Sequence, residues 1–244
     1  MPLADTSYFV VVCAAFLTAG LVKGVVGMGL PTVVMGILGL FLPVAQAAVL
    51  LTLPSLVTNV WQAAVGGAFR ALLLRLGGMF LGIFVGVALA AWLLPPDDRL
   101  GRRLLGACLL AYGLLGFAGW RPGAPRHEGI VGPVVGLATG LLTSLTGVFV
   151  LPMVPYLQSL QLDRRELSQA LGLSFCTSTL ALGALLVTRS QLDAQGAMHS
   201  ALAIVPALVG MFVGQKLRDV MSEAMFRNCF LAGMVLLGAW LALR

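Results

Sequence analysis

Gly20-Leu21-Val22-Lys23-Gly24-Val25-Val26-Gly27-Met28-Gly29-Leu30-Pro31, residues 20–31, sits inside an apolar run that extends from residue 8 to 42. A run of that length can cross a bilayer, and it has no structural need for a lysine or a glycine cluster near its middle. Both are costly in lipid, so a break of this kind points to a site. The pattern recurs. A second run, 129 to 160, contains Gly136 to Leu157 and within it Thr143-Ser144-Leu145-Thr146-Gly147.

Composition fixes the class. Hydrophobic residues make up 59% of the 244 and charged residues 10%, with a mean hydropathy of +1.01. These values describe an all-α, polytopic integral membrane protein with no room for a folded soluble domain between its short loops. The first eight residues carry no basic region and no small-residue cleavage site, so no cleaved signal peptide is expected. Cys13, Cys108, Cys176 and Cys229 lie inside apolar runs without CxxC spacing, which excludes a disulfide framework, a zinc site or thiol-transfer chemistry. The net charge of +6 is scattered through short loops, and membrane topology and lipid headgroups account for it better than nucleic acid does.

The remaining apolar runs are 44–66, 76–95 and 102–120, then 167–188, 197–215 and 226–243. Each half therefore has one long broken run followed by three runs of a single crossing. Gly20 to Gly24 aligns on Gly136 to Gly140, and Ala45-Gln46-Ala47 aligns on Ser168-Gln169-Ala170, with Ser55 falling on Ser178. The chain reads as a duplication, 1–122 and 123–244, with the seam in the Pro/Gly-rich linker 121–128.

Loop charge chooses between two topologies. If each broken run crosses once, six basic residues oppose eight and no orientation follows. If each enters and leaves on one side, Arg70, Arg75, Arg121, Arg126, Arg164, Arg165, Lys216, Arg218 and Arg227 oppose Arg99, Arg102, Arg103, Arg189 and Arg244. Nine against five satisfies the positive-inside rule and puts both termini outside the cytoplasm. Two short full spans would preserve the same parity. Length favours a re-entrant hairpin, since residues 8–22 and 31–42 would reach only ~22 and ~18 Å at ~1.5 Å per residue against a ~30 Å core. An odd number of crossings per repeat then makes the repeats inverted, an architecture in which broken helices meet at mid-membrane around a binding site.

In the first break, Gly24, Gly27 and Gly29 permit close backbone approach, and Pro31 suits the first turn of a new helix. Free N–H groups at that terminus, with Lys23 nearby, favour an anion. Packing glycines and a snorkelling lysine are the structural alternative. The second break offers the hydroxyls of Thr143, Ser144 and Thr146 before Gly147, although such hydroxyls also bond back to their own helix. Following helices add Thr52, Ser55, Thr58, Asn59 and Gln62, then Ser174, Thr177, Ser178 and Thr179. Ser55, Asn59 and Gln62 share one helical face, lining either a wet path or another helix.

All nine carboxylates lie near run ends or in loops, leaving no obvious cation site or proton relay. No metal-ligand cluster, phosphate loop or nucleophile with a base appears, so neither catalysis, a cofactor nor a metal is expected. The substrate-binding set is Lys23, Gly27, Gly29, Ser55, Asn59, Gln62, Thr143, Ser144, Thr146, Gly147, Ser174 and Ser178.

Residues 27–36 (Gly-Met-Gly-Leu-Pro-Thr-Val-Val-Met-Gly), 53–62 (Leu-Pro-Ser-Leu-Val-Thr-Asn-Val-Trp-Gln), 147–152 and 169–175 resemble the TauE/SafE sulfite exporter family, also called the toluene sulfonate uptake permease family. The resemblance covers nearly the whole chain, though members often carry a denser glycine run at the first break. It implies a duplicated transporter for sulfur-containing anions such as sulfite, sulfoacetate or aromatic sulfonates. The expectation is a multi-pass exporter of the bacterial inner membrane, binding a small anion between the broken helices. An anion channel and a non-transporting scaffold or assembly protein are the alternatives. Outward movement of one negative charge gains ~2.3 kcal/mol per 100 mV of inside-negative potential, so export needs no buried proton carrier.

Overall fold

The computed structural model describes residues 6–94, 97–120, 122–218, 220 and 222–243. Every apolar run becomes helix. In chain order these are α1 (Thr6–Val26), α2 (Leu30–Leu38), α3 (Val44–Ala64), α4 (Phe69–Leu93) and α5 (Asp98–Phe117). The second half gives α6 (Glu128–Thr146), α7 (Met153–Ser159), α8 (Arg164–Thr188), α9 (Ala194–Leu202), α10 (Ile204–Arg218) and α11 (Glu223–Leu243). Among the described residues eight segments are long and apolar enough to cross a membrane, with α9 and α10 counting as one. The division at 122/123 falls between α5 and α6. Arg121, Arg244, Asp5 and Asp219 lie outside the described residues, as does the N-terminal stretch 1–5.

The first break is displaced from its expected place. The α1 helix runs unbroken through Gly20, Lys23 and Gly24 and stops only at Gly27, whose N–H bonds the Lys23 carbonyl at 2.8 Å and whose φ is 81°. Tyr8–Val26, 19 residues, spans about 28 Å at ~1.5 Å per residue, so the first limb is a full-length helix rather than a ~22 Å half. Gly29, at φ 105°, caps α2, and Pro31 stands in its first turn. The α2 helix has nine residues and is the short member of the pair. In the second half, α6 likewise reaches full length before Gly147 ends it at φ 69°.

Gly20 and Gly24 instead let helices touch. A methyl group on Gly20 would lie 2.1 Å from the Ala207 carbonyl oxygen, and one on Gly24 2.3 Å from that of Met211. Gly136 and Gly140 meet the Met79 and Ile83 oxygens of α4 in the same way, at 2.0 and 2.2 Å. Residue numbers rise together in both cases, so α1 runs parallel to α10 and α6 parallel to α4. The central pair, α3 and α8, is antiparallel, with Ser55 Oγ 3.0 Å from Thr179 Oγ1 and Gln62 reaching Ser168. α5 and α11 are antiparallel too, Gly106 facing Gly238 to Ala242 and Gly113 facing Leu231 to Val235. Small residues at such crossings are what membrane helices use in place of a hydrophobic driving force.

Polar groups at helix ends have local explanations. Asp97, Asp163 and Asp193 cap α5, α8 and α9, and Glu166 completes a capping box with Asp163. Arg75 donates to Glu128 at 2.7 Å and to the Leu160 carbonyl at 3.4 Å, joining the starts of α4 and α6 to the α7–α8 turn. Arg189 donates to the Leu94 carbonyl at 3.1 Å, at the opposite end of α4.

Pro54 lies inside α3 and has no N–H, which leaves the Leu50 carbonyl without its helical donor. Ser200 of α9, fully buried, repairs the gap: its hydroxyl donates to Leu50 O at 2.9 Å and accepts from Leu53 N at 3.0 Å. Ser200→Ala should therefore destabilise the protein by about 1–3 kcal/mol, the cost of an orphaned buried acceptor. A lowered thermal midpoint in detergent checks this, and an unchanged midpoint would show that the kink is satisfied some other way.

Candidate functional site

Lys23 occupies the last turn of α1, where Gly20 and Gly24 bring α10 close and the lysine side chain turns toward α3. It is 4% exposed. Its ammonium donates to Thr58 Oγ1 at 3.1 Å and to Asn59 Oδ1. Asn59 Nδ2 donates in turn to Ser55 Oγ at 3.0 Å, and Ser55 meets Thr179 of α8. The Thr58 hydroxyl donates back to Pro54 O at 2.8 Å, so its oxygen is free to accept from Lys23. Lys23, Thr58, Asn59, Ser55 and Thr179 thus form one buried chain across three helices. No carboxylate bonds to Lys23 among the described residues, and its third N–H has no protein acceptor there. Cys176 of α8 lies within electrostatic range of it.

Gln62 ties the first break to this region. Its Nε2 donates to the Gly27 carbonyl at 2.9 Å and to Ser168 O at 3.1 Å, while its buried Oε1 has no partner. Ser178, fully buried one residue before Thr179, also has an unpartnered hydroxyl. Each is a buried polar group left for water or a ligand to complete. Ser174 donates to the Ala170 carbonyl at 2.7 Å and is already satisfied.

The second break departs from expectation. Thr143, Ser144 and Thr146 donate to the carbonyls of Thr139, Gly140 and Leu142 at 2.7, 3.0 and 2.7 Å. Their protons are committed four residues back along α6, the local alternative open to any helical Ser or Thr, and none points to the Lys23 group. Nor do the breaks meet. Gly27 lies beside Gln62 near the end of α3, whereas Leu145 lies beside Gly101 and Val44 at its start. Those positions are about 27 Å apart along α3 at ~1.5 Å per residue. The α2 helix lies across the interval, its Met35 packing against Gly147.

Two cavities flank the Lys23 chain. The larger, about 530 Å³, opens at the start of α3 and is lined by Gln46, Leu50, Ser144, Gly147, Leu182 and Arg189 among others. Its inner wall at Leu182 is three residues, about one helical turn, from Thr179. The smaller, about 300 Å³, lies past Lys23 at the other end, against Val26 and Met28. Lys23, Thr58 and Asn59 line neither, and all three are buried.

The model of the family Sulfite exporter TauE/SafE matches residues 12–241. The chain belongs to the TauE/SafE family. As a member it is a membrane transporter and not an enzyme. It is 28% identical over 227 residues to a protein of Cupriavidus necator described as "Probable sulfite/organosulfonate exporter TauE", covering 90% of this chain and 88% of the relative. No solved structure matches it.

For this TauE/SafE member, Thr58 and Thr179 join the expected residues Lys23, Gly27, Ser55, Asn59 and Gln62. Both stood among the polar residues of the following helices; like Thr52 and Thr177 they bond back to their own helices, and what sets them apart is that they also meet Lys23 and Ser55. Gln169 had only its alignment with Gln46 as a signal. It is a clamp, taking the Ala68 N–H and giving its own to Ala63 O at 2.8 and 2.7 Å.

Proposed function

We propose that the protein exports sulfite or an organosulfonate across the bacterial inner membrane, binding the anion at Lys23 with Thr58, Asn59, Gln62 and Ser178 around it. The observation that carries this is the buried lysine held only by neutral side chains. A lone charge in low dielectric needs a counter-charge, and a transported anion supplies it with charge-assisted hydrogen bonds. The remaining expected residues take other parts. Gly27 and Gly29 shape the break, while Ser144 and Gly147 border the larger cavity on the exit path.

Inverted repeats accommodate the packing. Exchanging the halves maps α1 on α10 to α6 on α4, and maps the α3–α8 and α5–α11 pairs onto themselves. The helix directions compose into the same picture, with α1 parallel to α3 and α6 antiparallel to both. Each broken run then enters and returns on one side, and the contacts of Arg75 and Arg189 put their loops on opposite faces, as the nine-to-five charge bias requires. The nine-residue face is the cytoplasm, and the membrane potential drives the anion outward.

Burial of the Lys23 chain, which borders neither cavity, favours a carrier over an open channel. Purified protein in liposomes should show saturable efflux of labelled sulfite or sulfonate, accelerated by the same anion on the trans side. Ohmic, non-saturating conductance would replace the carrier with a channel, and absence of flux for every sulfur anion would remove the transport reading.

A further inference from the structure

The smaller cavity has a character of its own. It is lined by Met28, Tyr112, Trp120, Gln158, Arg227 and Phe230, with further aliphatic groups between them. Tyr112 donates its hydroxyl to the Met28 sulfur at 3.5 Å, and its ring stands edge-on to Phe230 with centroids 6.0 Å apart. Phe230 in turn reaches the first break, where a methyl group on Gly29 would lie 3.2 Å from its Cζ. The two rings therefore make one aromatic wall that ends at the capping glycine of α2. Arg227 stands three residues before Phe230 on α11, on the same helical face, exposed and within electrostatic range of Tyr112.

Among the described residues Arg227 is the only charged side chain lining this cavity, whereas the larger cavity carries Asp97, Asp98 and Asp193 beside Arg189 and His199. The smaller one is thus the cavity of the two that suits an anion. Its walls also carry aromatic and aliphatic groups that a bare oxyanion does not require. Sulfite is compact and strongly hydrated, and aromatic faces offer it nothing. A volume of about 300 Å³ is at the lower end of sites for small organic molecules, which combine apolar walls with one or two placed polar groups.

Resting on the proposed export of sulfur anions, we propose that this cavity is a selectivity subsite for sulfonates that carry an aromatic or other flat apolar substituent. The substituent lies on Tyr112 and Phe230, and the sulfonate is taken up by the Arg227 guanidinium, whose planar fork matches its oxygens. Met28 and Gly29 at the inner end lead from this subsite to the last turn of α1, where Lys23 stands. Phe230 and Tyr112 are accordingly specificity determinants and not part of the anion-binding centre.

The test compares efflux of sulfite and of benzenesulfonate from liposomes containing the full-length protein. Phe230→Leu, which stays apolar and loses the ring, and Phe230→Ala should each lower the efficiency for benzenesulfonate about tenfold relative to sulfite. Tyr112→Phe keeps the wall and should leave that ratio unchanged. Arg227→Gln should raise the half-saturating concentration for both anions. Equal loss for the two anions in Phe230→Leu, or a wild-type protein that carries sulfite and excludes benzenesulfonate, overturns the subsite while leaving sulfite export standing. A wild-type protein that carries neither anion overturns the transport reading itself, and the subsite with it.

Discussion

Lys23→Met should abolish anion efflux while the protein still expresses, inserts and purifies as a folded species. Losing one partner of a buried, hydrogen-bonded charge pair costs about 2–5 kcal/mol, roughly thirty- to several-thousand-fold in affinity. Folding is affected far less. The substitution removes a desolvated charge together with its bonds to Thr58 and Asn59, and exchanging a buried ionic group for an apolar one of similar volume is often neutral. Asn59→Asp is the sharper companion. It places a carboxylate against Lys23, satisfies the lysine from within the protein, and should suppress transport while raising the thermal midpoint. Wild-type flux in Lys23→Met would make the lysine a packing residue and end the mechanism. Wild-type flux in Asn59→Asp would show that the lysine does not use the transported anion as its counter-charge.

The sequence made the helices legible because membrane spans announce themselves by length and apolarity, and each run from 44–66 to 226–243 became helix, although α4 starts seven residues before its run and 197–215 is divided between α9 and α10. Lys23, Asn59 and Ser55 were legible for the related reason that polar groups in lipid are expensive. What periodicity could not convey was where α1 ends. Gly24 looks the same as Gly27 in a string of letters, yet one faces the backbone of α10 and the other ends the helix at positive φ. Depth was illegible too. Both breaks occupy the same place in their repeats, but α6 continues six residues past Gly140 before stopping, whereas α1 continues only two past Gly24. The breaks stand apart because both helices run full length and stop near opposite ends of α3, which keeps the hydroxyls of Thr143, Ser144 and Thr146 away from the Lys23 group.

Gly136→Ala should be the most damaging single-methyl change in the protein. The added carbon would sit 2.0 Å from the Met79 carbonyl oxygen and 2.9 Å from its carbonyl carbon. Neither can yield, because both belong to the backbone of a long helix rather than to a flexible side-chain end. The α4 and α6 helices must therefore move apart, and the packing of Gly82, Gly86 and Gly140 along the same seam loosens with them. Overpacking of one methyl in a tight core costs about 1–3 kcal/mol, and a rigid backbone contact belongs at the upper end or beyond. Gly20→Ala at the α1–α10 seam, 2.1 Å from the Ala207 oxygen, should match it if the two seams are equivalent by a two-fold exchange of halves. Gly77→Ala, where an added methyl meets nothing within 4 Å, is the control and should leave stability within a few tenths of a kcal/mol or raise it slightly through helix propensity. The measurement is the thermal midpoint and monodisperse yield of the three variants in one detergent. If Gly136→Ala and Gly77→Ala behaved alike, the close approach of α4 and α6 would be wrong. If Gly20→Ala were mild while Gly136→Ala was severe, the seams would be unequal and the inverted-repeat reading would lose its strongest support.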